Sequence, residues 1–546
     1  MTSTNTTAFG SPPFDEQGHP RLMAVTQQEI ENRLWDAADE LRVAMPESQY
    51  SSVVFPLMFW KYLSDTWEHR RQEFQAENQG LDYSAEEARE IEYRDYQDFE
   101  IPFIHPGTVQ ERRSSWTSIL ATVTRPGLGQ RVRASLQAIE TANPDKFSRI
   151  FGAMTWTAEE VLSGEVLAAV MQAMDRVPKM HEGNMSYDVL GGAYEYLLKR
   201  FSDGSGTRAG QFFTPREVVE LLVEVLDPQN RESVYDPTCG SGGMLIASAN
   251  LLKAHNKRGY TLKLHGQEAV ADTAGVARMN LFMHNLTDFK VEVGDTLKDP
   301  RFKKKSDGSV EQFDVIVANP PYSLKWKPWT KDPRAIGGVA PQSSADWAFV
   351  QHMTASMDPM KGRAGVVLPH GVLFRGGQEA AIRQRVLDDD LLEAVIGLPA
   401  NLFYSTAIPT AILVFRASGT KPPERKGGVL FIDASKRFTK AKNRNVLTKV
   451  DIADMVRAYQ AGFDADGNPV DLTVEAALPA RFVPTTEIVA QGYDLKIDRY
   501  VKQVVAESED LGTLIDAYNV ARAERQKSEA RMLAVLADAG IEGFDE

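Results

Sequence analysis

Cysteine is almost absent from this sequence, and so are long apolar runs. The one cysteine among 546 residues, Cys239, excludes an intrachain disulfide and a zinc site built from several cysteines, and it fits a reducing compartment. No apolar run reaches the ~18 residues of a membrane-spanning helix. Because the first residues also lack the basic and apolar regions of a signal peptide, we expect a cytoplasmic protein without a membrane segment.

Positive charge is also scarce. The chain has 61 Lys and Arg against 75 Asp and Glu, for a formal net charge of −14. This balance opposes strong autonomous binding to nucleic acid, which needs clustered Lys and Arg. A local exception is the segment 324–334, which interleaves basic residues with two tryptophans. That pattern is typical of a loop that contacts nucleic acid, although a loop folded on its own tryptophans explains it nearly as well.

A short apolar run ends in two consecutive prolines. Residues 313–318 predict a buried parallel strand, and Pro320 and Pro321 end it, which leaves Asn319 at the carboxyl edge where α/β sheets bind ligands. The Asn319 side-chain oxygen and the Pro320 carbonyl can accept both N–H bonds of a planar amino group, and Tyr322 can stack on the attached ring. An ordinary proline-terminated turn is the alternative. We predict these four residues to be catalytic.

A glycine-rich turn follows the predicted strand that ends at Asp236. The G-x-G-x-x-G register of dinucleotide sites is absent, and a carboxylate at this point would repel a pyrophosphate. It would attract an ammonium group, so the turn fits S-adenosylmethionine better than NAD. An ordinary tight turn between strand and helix is the alternative. The candidate cofactor residues here are Asp236, Thr238, Gly240, Ser241, Gly242 and Gly243.

Two further acids stand at predicted strand ends. Glu268 stands at the end of the next predicted strand after Asp236, where an acid can bind both ribose hydroxyls. Asp295 ends a third predicted strand, where it can accept a hydrogen bond from the amino group of the cofactor's adenine. Taken singly, each fits a surface or capping role equally well. Their shared placement strengthens the joint interpretation.

The segment 211–217 carries the signals of a helix start. Thr214 is the predicted N-cap, Pro215 the first helical residue, and Glu217 completes a capping box. Since helix starts also bind small anions, Thr214 is a candidate for a ligand carboxylate, although capping alone accounts for it about equally well.

Taken together, these motifs resemble those of the DNA adenine methyltransferases that methylate an exocyclic amine. More narrowly, with the leading helical region they resemble the modification subunit of type I restriction-modification systems, over roughly residues 25 to 435. The motifs, in order, are Gln211-Phe-Phe-Thr-Pro, Asp236-Pro-Thr-Cys-Gly-Ser-Gly-Gly, Gln267-Glu, Gly294-Asp, Asn319-Pro-Pro-Tyr and Asn401-Leu-Phe-Tyr.

This resemblance implies S-adenosylmethionine as methyl donor and N6 of a flipped-out adenine in double-stranded DNA as acceptor. It adds Gln211, Phe212 and Phe213 to the cofactor-binding residues. It also implies a specificity subunit and a restriction subunit as partners, with two copies of this chain in the methyltransferase complex.

The fold that we expect is α/β, a Rossmann-like methyltransferase sheet with an N-terminal helical domain and a C-terminal helical tail. We assign residues 1–20 to a segment without fixed structure, 21–165 to the helical domain, 166–440 to the methyltransferase domain, and 441–546 to a C-terminal region. Beyond Ser435 the alternation of strands and helices fades, and residues 511–536 predict a long helix for packing on a partner.

Four other kinds of protein would share some of these sequence features. They are a free-standing adenine methyltransferase, a protein-glutamine methyltransferase, an RNA adenine methyltransferase and a non-catalytic scaffold. Intact Asp236, Asn319 and Tyr322 argue against the scaffold. A cytosine-C5 enzyme needs a cysteine nucleophile, and the only cysteine lies in the cofactor turn, so that function is rejected.

Overall fold

The computed structural model describes residues 26–80, 85–98, 101–102, 104, 114–204, 214–255, 261–403, 407–442, 444–464, 466–468, 478–501 and 511–538. The chain divides into two compact units, Met1–Tyr500 and Val501–Glu546. None of the helices in the described part of the chain combines the length and apolar composition that a bilayer span requires.

The helices and strands follow one another in this order. The helices are α1 Gln27–Asp39, α2 Ser51–Glu77, α3 Ala85–Asp98, α4 Trp116–Leu120, α5 Leu128–Ala142, α6 Pro144–Phe147, α7 Gly164–Asp175, α8 Tyr187–Gly204, α9 Arg216–Leu226, α10 Gly243–His255, α11 Ala271–Met283, α12 Asp346–Ala355, α13 Gln378–Asp388, α14 Lys449–Gln460, α15 Thr485–Ala490, α16 Ile497–Tyr500 and α17 Leu511–Asp538. The strands are β1 Ser233–Asp236, β2 Lys263–Glu268, β3 Phe289–Val293, β4 Val315–Ala318, β5 Arg363–Pro369, β6 Leu392–Gly397, β7 Thr410–Arg416, β8 Gly428–Asp433, β9 Thr439–Lys440, β10 Asn445–Val446 and β11 Ala480–Pro484.

One large sheet forms the centre of the first unit. Among the described residues its order is β3-β2-β1-β4-β5-β7-β6-β8-β11. Strands β1 to β5 pair in parallel, whereas β7 runs antiparallel to both β5 and β6. Every residue of β4 is buried, as expected for a parallel strand with helices on both faces. The predicted α/β fold with a Rossmann-like sheet is confirmed.

The N-terminal helices share one apolar core that reaches the sheet. The core continues through α8, with Tyr194 and Phe201, and includes Phe282 of α11. Phe282 contacts Phe59 of α2 and Phe289 of β3, with ring centroids 5.9 and 5.1 Å apart. The helical region therefore packs directly on a helix of the sheet domain. This core extends past residue 165, the boundary predicted for the helical domain.

The sheet does not end where its sequence pattern fades. Strand β11, beyond the predicted boundary at residue 440, pairs antiparallel with β8, and α14 packs beside α9. Residues 480–484 of the predicted C-terminal region therefore belong to the sheet. A five-residue edge strand that ends in Pro484 is too short and too exposed to show the apolar run of a central strand. The predicted long C-terminal helix is present as α17.

Candidate active site

The predicted catalytic and cofactor residues meet where the strand order reverses. Strand β1 lies between β2, which follows it in the chain, and β4, which comes later. The register pairs Val234 with Val315 and Tyr235 with Ile316, so Asp236 and Asn319 both lie at the carboxyl ends of neighbouring strands. A crevice at such a reversal is the general ligand position in open α/β sheets.

The Asn319 side chain is held at both ends of its amide. Its Nδ2 donates to the Thr214 hydroxyl at 2.9 Å, and its Oδ1 accepts from the Tyr322 hydroxyl at 2.7 Å. Because a hydroxyl group can both donate and accept, Thr214 keeps a donor for a second partner. In the structure the amide nitrogen lies on the side of Thr214 and the amide oxygen on the side of Tyr322.

Thr214 does not cap helix α9, contrary to the prediction. The helix begins at Arg216 with Pro215 as N-cap, and no side chain bonds the N-terminal amides. The Thr214 hydroxyl bonds Asn319 instead, and Glu217 forms an ion pair with Arg444. The side chains of Thr214 and Glu217 thus bond to residues far away in the chain, and not to each other's backbone as a capping box requires. The preceding residues Gln211, Phe212 and Phe213 lie outside the described residues.

Tyr322 is packed between an aromatic ring and a buried acid. Its ring lies edge to face with Phe403, with centroids 6.1 Å apart. Burial, with the charge of Asp346, raises the pKa of Tyr322 above its usual value, so the hydroxyl stays protonated. Asp346 also accepts from the Ser323 backbone amide at 2.7 Å and pairs with Arg375 at 3.0 Å. Asp346 therefore anchors the turn that follows the predicted catalytic residues.

Asp346 was not among the predicted site residues. Ser323 has a positive φ of 53°, so the chain turns sharply just after Tyr322, and the Asp346 carboxylate satisfies the amide at that turn. From the sequence alone, an acid in the first turn of a helix is explained by its favourable interaction with the helix dipole. No local signal indicates that its bond goes to a turn 23 residues earlier.

Asp236 is a buried carboxyl group next to a second acid. Burial raises the pKa of Asp236 to about 7; the Thr238 backbone N–H at 2.9 Å lowers this pKa and the Glu268 charge raises it. A carboxyl group in this position gains most from a cation, because a cation offsets both the burial and the neighbouring charge. The ammonium group of S-adenosylmethionine fits this requirement.

The glycine turn has a backbone that a ligand can approach closely. Gly240 and Gly242 have φ values of 52° and 83°, which favour glycine. A Cβ added at Gly243 would meet nothing within 4 Å. A cavity of about 710 Å³ has Ser241, Gly243 and Thr214 in its lining, but it extends between α8, α9, α10 and α14, and Asp236 does not line it. The support for the predicted cofactor is therefore the turn's backbone and the carboxyl group of Asp236, and not this cavity.

Glu268 and Asp295 differ in their surroundings. The Glu268 carboxylate is half-buried and accepts from the backbone amides of Gly240 at 3.1 Å and Val270 at 3.0 Å. Burial raises its pKa. Asp295 is exposed, and one of its oxygens accepts from the amides of Leu297 and Lys298 at 3.0 and 3.1 Å. Glu268 therefore joins the glycine turn directly, whereas Asp295 also serves as the cap of its own turn.

Two polar residues that were not predicted hold the glycine turn from outside. Asn280 of α11 donates to the Ser241 carbonyl at 2.9 Å, and the Thr296 hydroxyl donates to the Pro237 carbonyl at 2.5 Å. Asn280 is buried within an otherwise apolar stretch of its helix. A polar residue in that position was the one available signal, because buried polar groups need partners.

Comparisons with protein families account for most of the chain. Residues 185–510 match the family model described as N-6 DNA Methylase, and residues 30–174 match the HsdM N-terminal domain. The two matches meet near the helical core described above, between α7 and α8.

Individual relatives agree with the family models. The chain is 29% identical to the type I restriction enzyme MjaIX methylase subunit of Methanocaldococcus jannaschii, over 87% of this chain and 84% of that protein. It is 33% identical to the HindI methylase subunit of Haemophilus influenzae, over 60% of this chain and 70% of that protein. A crystal structure of the type I restriction-modification methyltransferase subunit from Streptococcus thermophilus superposes with a TM-score of 0.71 at 29% identity, covering 88% of this chain and 100% of that one.

Proposed function

Because this chain belongs to the N-6 DNA methylase family, we propose that it works as the methylase subunit of a type I restriction-modification complex. In that role it transfers a methyl group from S-adenosylmethionine to N6 of an adenine flipped out of a DNA duplex. Relatives along most of its length are type I methylase subunits, which supports this function over a free-standing adenine methyltransferase, a protein-glutamine methyltransferase or a scaffold.

The observation that carries the proposal is the meeting of Asn319 and Asp236 at the strand reversal. Asn319 stands where an acceptor amine can bind, and Asp236 stands one strand away, where the cofactor's ammonium group can bind. One crevice thus has chemistry for both a donor and an acceptor.

The acceptor amine is bound by oxygens of the catalytic turn. Asn319 Oδ1 and the Pro320 carbonyl accept its two N–H bonds, which keeps the nitrogen lone pair from delocalising into the base. No general base is needed before transfer. Thr214 holds Nδ2 at 2.9 Å, so the amide presents its oxygen, and not its N–H groups, to the amine. We assign Thr214 a positioning role on this ground.

Tyr322 changes partner when the base arrives. Its ring stacks on the flipped adenine, and its hydroxyl releases Asn319 Oδ1, the acceptor that it occupies at 2.7 Å. Phe403 supports the ring from its edge. The hydroxyl therefore occupies the amine position only while the acceptor is absent.

The cofactor residues hold the donor at the neighbouring strand ends. When bound, S-adenosylmethionine supplies the methyl group on an electrophilic sulfonium. Asp236 binds its ammonium group, Glu268 its ribose hydroxyls, and Asp295 the amino group of its adenine. The turn from Gly240 to Gly243 lets the backbone approach closely.

Partner proteins complete the proposed enzyme. A specificity subunit reads the DNA sequence, a restriction subunit cleaves, and two copies of this chain serve one methyltransferase complex. The net charge of −14 favours this division, because base flipping needs surrounding DNA contacts that an acidic chain supplies poorly alone. Helix α17 presents Tyr518, Val520 and Met532 with more than half of each exposed, which suits packing on a partner helix.

The test of the reaction is Asn319→Ala. We expect adenine methylation by the partner-bound complex to be abolished while calorimetry shows unchanged S-adenosylmethionine binding, because Asn319 acts on the acceptor alone. Methylation that persists in this variant contradicts the assigned role.

The test of the partner requirement is purification with and without the specificity protein. The chain alone should bind DNA weakly, without sequence preference, and the complex from the native host should methylate adenines in one defined sequence. Sequence-specific methylation by the isolated chain would instead favour a free-standing enzyme.

A further inference from the structure

The basic loop that follows the catalytic turn is fixed by its own tryptophans. The Trp326 indole donates to the Pro341 carbonyl at 3.0 Å, and the Trp329 indole donates to the Leu297 carbonyl at 2.8 Å. The two rings pack edge to face with centroids 5.1 Å apart. Both rings are therefore part of the loop's own structure and are not platforms for base stacking.

Arg334 fastens this loop to the turn that follows β3. Its side chain is 5% exposed and donates to the carbonyls of Thr296 at 3.1 Å and Leu297 at 2.8 Å. It also pairs with Asp332 at 2.7 Å and lies 4.4 Å from the Trp329 ring centroid. Arg334 is thus a structural residue, and its pairing neutralises the one acidic charge within the loop.

Four lysines around this junction remain directed to solvent. Lys325, Lys327 and Lys331 on the loop and Lys298 beside Leu297 are exposed, and we call them the lysine patch. No ion pair among the described residues includes any of the four. Nearby Lys303, by contrast, pairs with Asp299 at 3.4 Å. The junction thus concentrates uncompensated positive charge on a rigid frame.

The charge of this region differs in sign from that of the chain. Between Asp295 and Arg334 there are nine Lys and Arg and six Asp and Glu, whereas the whole chain has 61 and 75. Lys325 of the lysine patch follows Tyr322 by three residues in the chain, so the patch has one member close to the position proposed for the acceptor base. A ligand that binds the lysine patch would therefore carry negative charge close to the acceptor base.

We infer that the lysine patch binds the phosphate backbone of the duplex that carries the acceptor adenine. This inference rests on the proposed function and specifies which of its surfaces contacts DNA. Phosphates flanking a flipped nucleotide are the polyanion nearest to Tyr322, and ammonium groups bind them without regard to sequence. The contacts contribute part of the free energy that base flipping requires.

The experiment measures how the binding of a short fluorescein-labelled DNA duplex to the full chain depends on salt. For the Lys298→Gln, Lys325→Gln, Lys327→Gln, Lys331→Gln variant, we expect the slope of log K against log salt, from about 50 to 200 mM, to become less steep by about 0.9 for each phosphate that the variant no longer neutralises. Calorimetry should give wild-type affinity for S-adenosylmethionine, because no patch residue belongs to the cofactor site.

Two double variants, each of which removes two positive charges, distinguish the effect of the lysine patch from the effect of net charge. Lys325→Gln with Lys327→Gln should reduce the slope by about 1.8. Lys263→Gln with Lys426→Gln removes two exposed lysines, one at the start of β2 and one just before β8. Both lie at the amino ends of their strands, away from the carboxyl ends that form the site, so this control pair should leave the slope unchanged.

Two outcomes overturn the inference. Equal slopes for the patch and control pairs would mean that only net charge matters. An unchanged slope together with failure to assemble with the specificity protein would show that the patch binds an acidic protein surface. The failure of the proposed function itself looks different, since the wild-type complex would then bind S-adenosylmethionine and methylate no DNA.

Discussion

The orientation of one amide group decides the chemistry of the site at the scale of single residues. In the proposed reaction Asn319 presents its oxygen to the acceptor amine, and the Thr214 hydroxyl accepts a hydrogen bond from its nitrogen at 2.9 Å. We expect loss of that bond to let the amide rotate, so that its N–H groups would sometimes face the N–H groups of the amine.

Thr214→Val is therefore expected to slow transfer while leaving the cofactor affinity nearly unchanged. Loss of one hydrogen bond of about 1–1.5 kcal/mol corresponds to roughly a tenfold lower single-turnover rate at saturating cofactor. Thr214→Ser should recover most of that rate, because it keeps the hydroxyl.

Thr354→Val is the matched control for Thr214→Val. It removes a hydroxyl that bonds only the Gln351 carbonyl of its own helix in the described structure, and it should leave the rate unchanged. If Thr214→Val instead weakened S-adenosylmethionine binding at an unaltered rate, Thr214 would act on the cofactor's carboxylate and not on Asn319.

Tyr322 is expected to tolerate loss of its hydroxyl better than loss of its ring. Tyr322→Phe keeps the stacking surface, and the bond that it removes is one that the amine replaces, so single-turnover methylation should stay within several-fold of wild type. Tyr322→Ala loses stacking of about 1–3 kcal/mol, so its rate should fall roughly five- to a hundredfold further. If Tyr322→Phe were as inactive as Tyr322→Ala, the hydroxyl would have its own role in transfer.

We expect Asp236, as the proposed partner of the cofactor's ammonium group, to make cofactor binding dependent on pH. Its pKa of about 7 lies above the ordinary value of 3.8, so the neutral carboxyl stabilises the fold at low pH, and that stabilisation is lost as the pH rises through 7. The ammonium group needs the ionised form. Below pH 7 we therefore expect S-adenosylmethionine affinity, measured by calorimetry, to fall by up to about tenfold per pH unit.

The variant Asp236→Ala tests whether Asp236 is the source of this pH dependence. It should weaken binding ten- to a hundredfold at pH 8, for a charge-assisted bond of about 1.5–3 kcal/mol, and the remaining affinity should no longer change between pH 6 and 8. A pH dependence that survives in the folded variant would belong to another group, and Glu268 would then be the first candidate.

At the scale of elements, helix α11 joins the helical region to the sheet. One face of the helix holds the glycine turn through Asn280, and another carries Phe282 into the N-terminal core, between Phe59 and Phe147. The placement of the cofactor turn thus depends on packing in both regions.

Phe282→Ala should be strongly destabilising. The side chain is 7% exposed, and removing it leaves a cavity that costs about 3–5 kcal/mol in the free energy of unfolding measured with urea. Met360→Ala, at a position 81% exposed, should change this free energy by less than about 0.5 kcal/mol. A small effect of Phe282→Ala would mean that the two regions are not packed together in solution.

At the scale of the whole molecule, every described residue to which we assign a cofactor or catalytic role belongs to the first compact unit. The second unit contains α17 and none of the residues assigned to the site. Catalysis and the proposed partner contact are thus assigned to different units.

A chain that ends at residue 510, and so lacks α17, should bind S-adenosylmethionine with wild-type affinity and fail to assemble with the specificity protein in size-exclusion chromatography. Assembly by this shortened chain would move the partner surface to the first unit, where the N-terminal helices are the next candidate. The full-length chain, carried through the same purification, is the control.

The sequence by itself determined the fold class and the positions of Asp236, Glu268 and Asn319 at strand ends. Buried strands have an apolar pattern that can be read locally, and two prolines end a strand whatever surrounds it. The tertiary structure alone decided the partner of Thr214, the burial of Arg334 and the addition of β11 to the sheet. Those outcomes depend on contacts between residues far apart in the chain, such as the 105 positions between Thr214 and Asn319. A capping box and a basic loop look the same in sequence whether or not such a contact forms, because local propensity is weaker than the bonds that a folded neighbour offers.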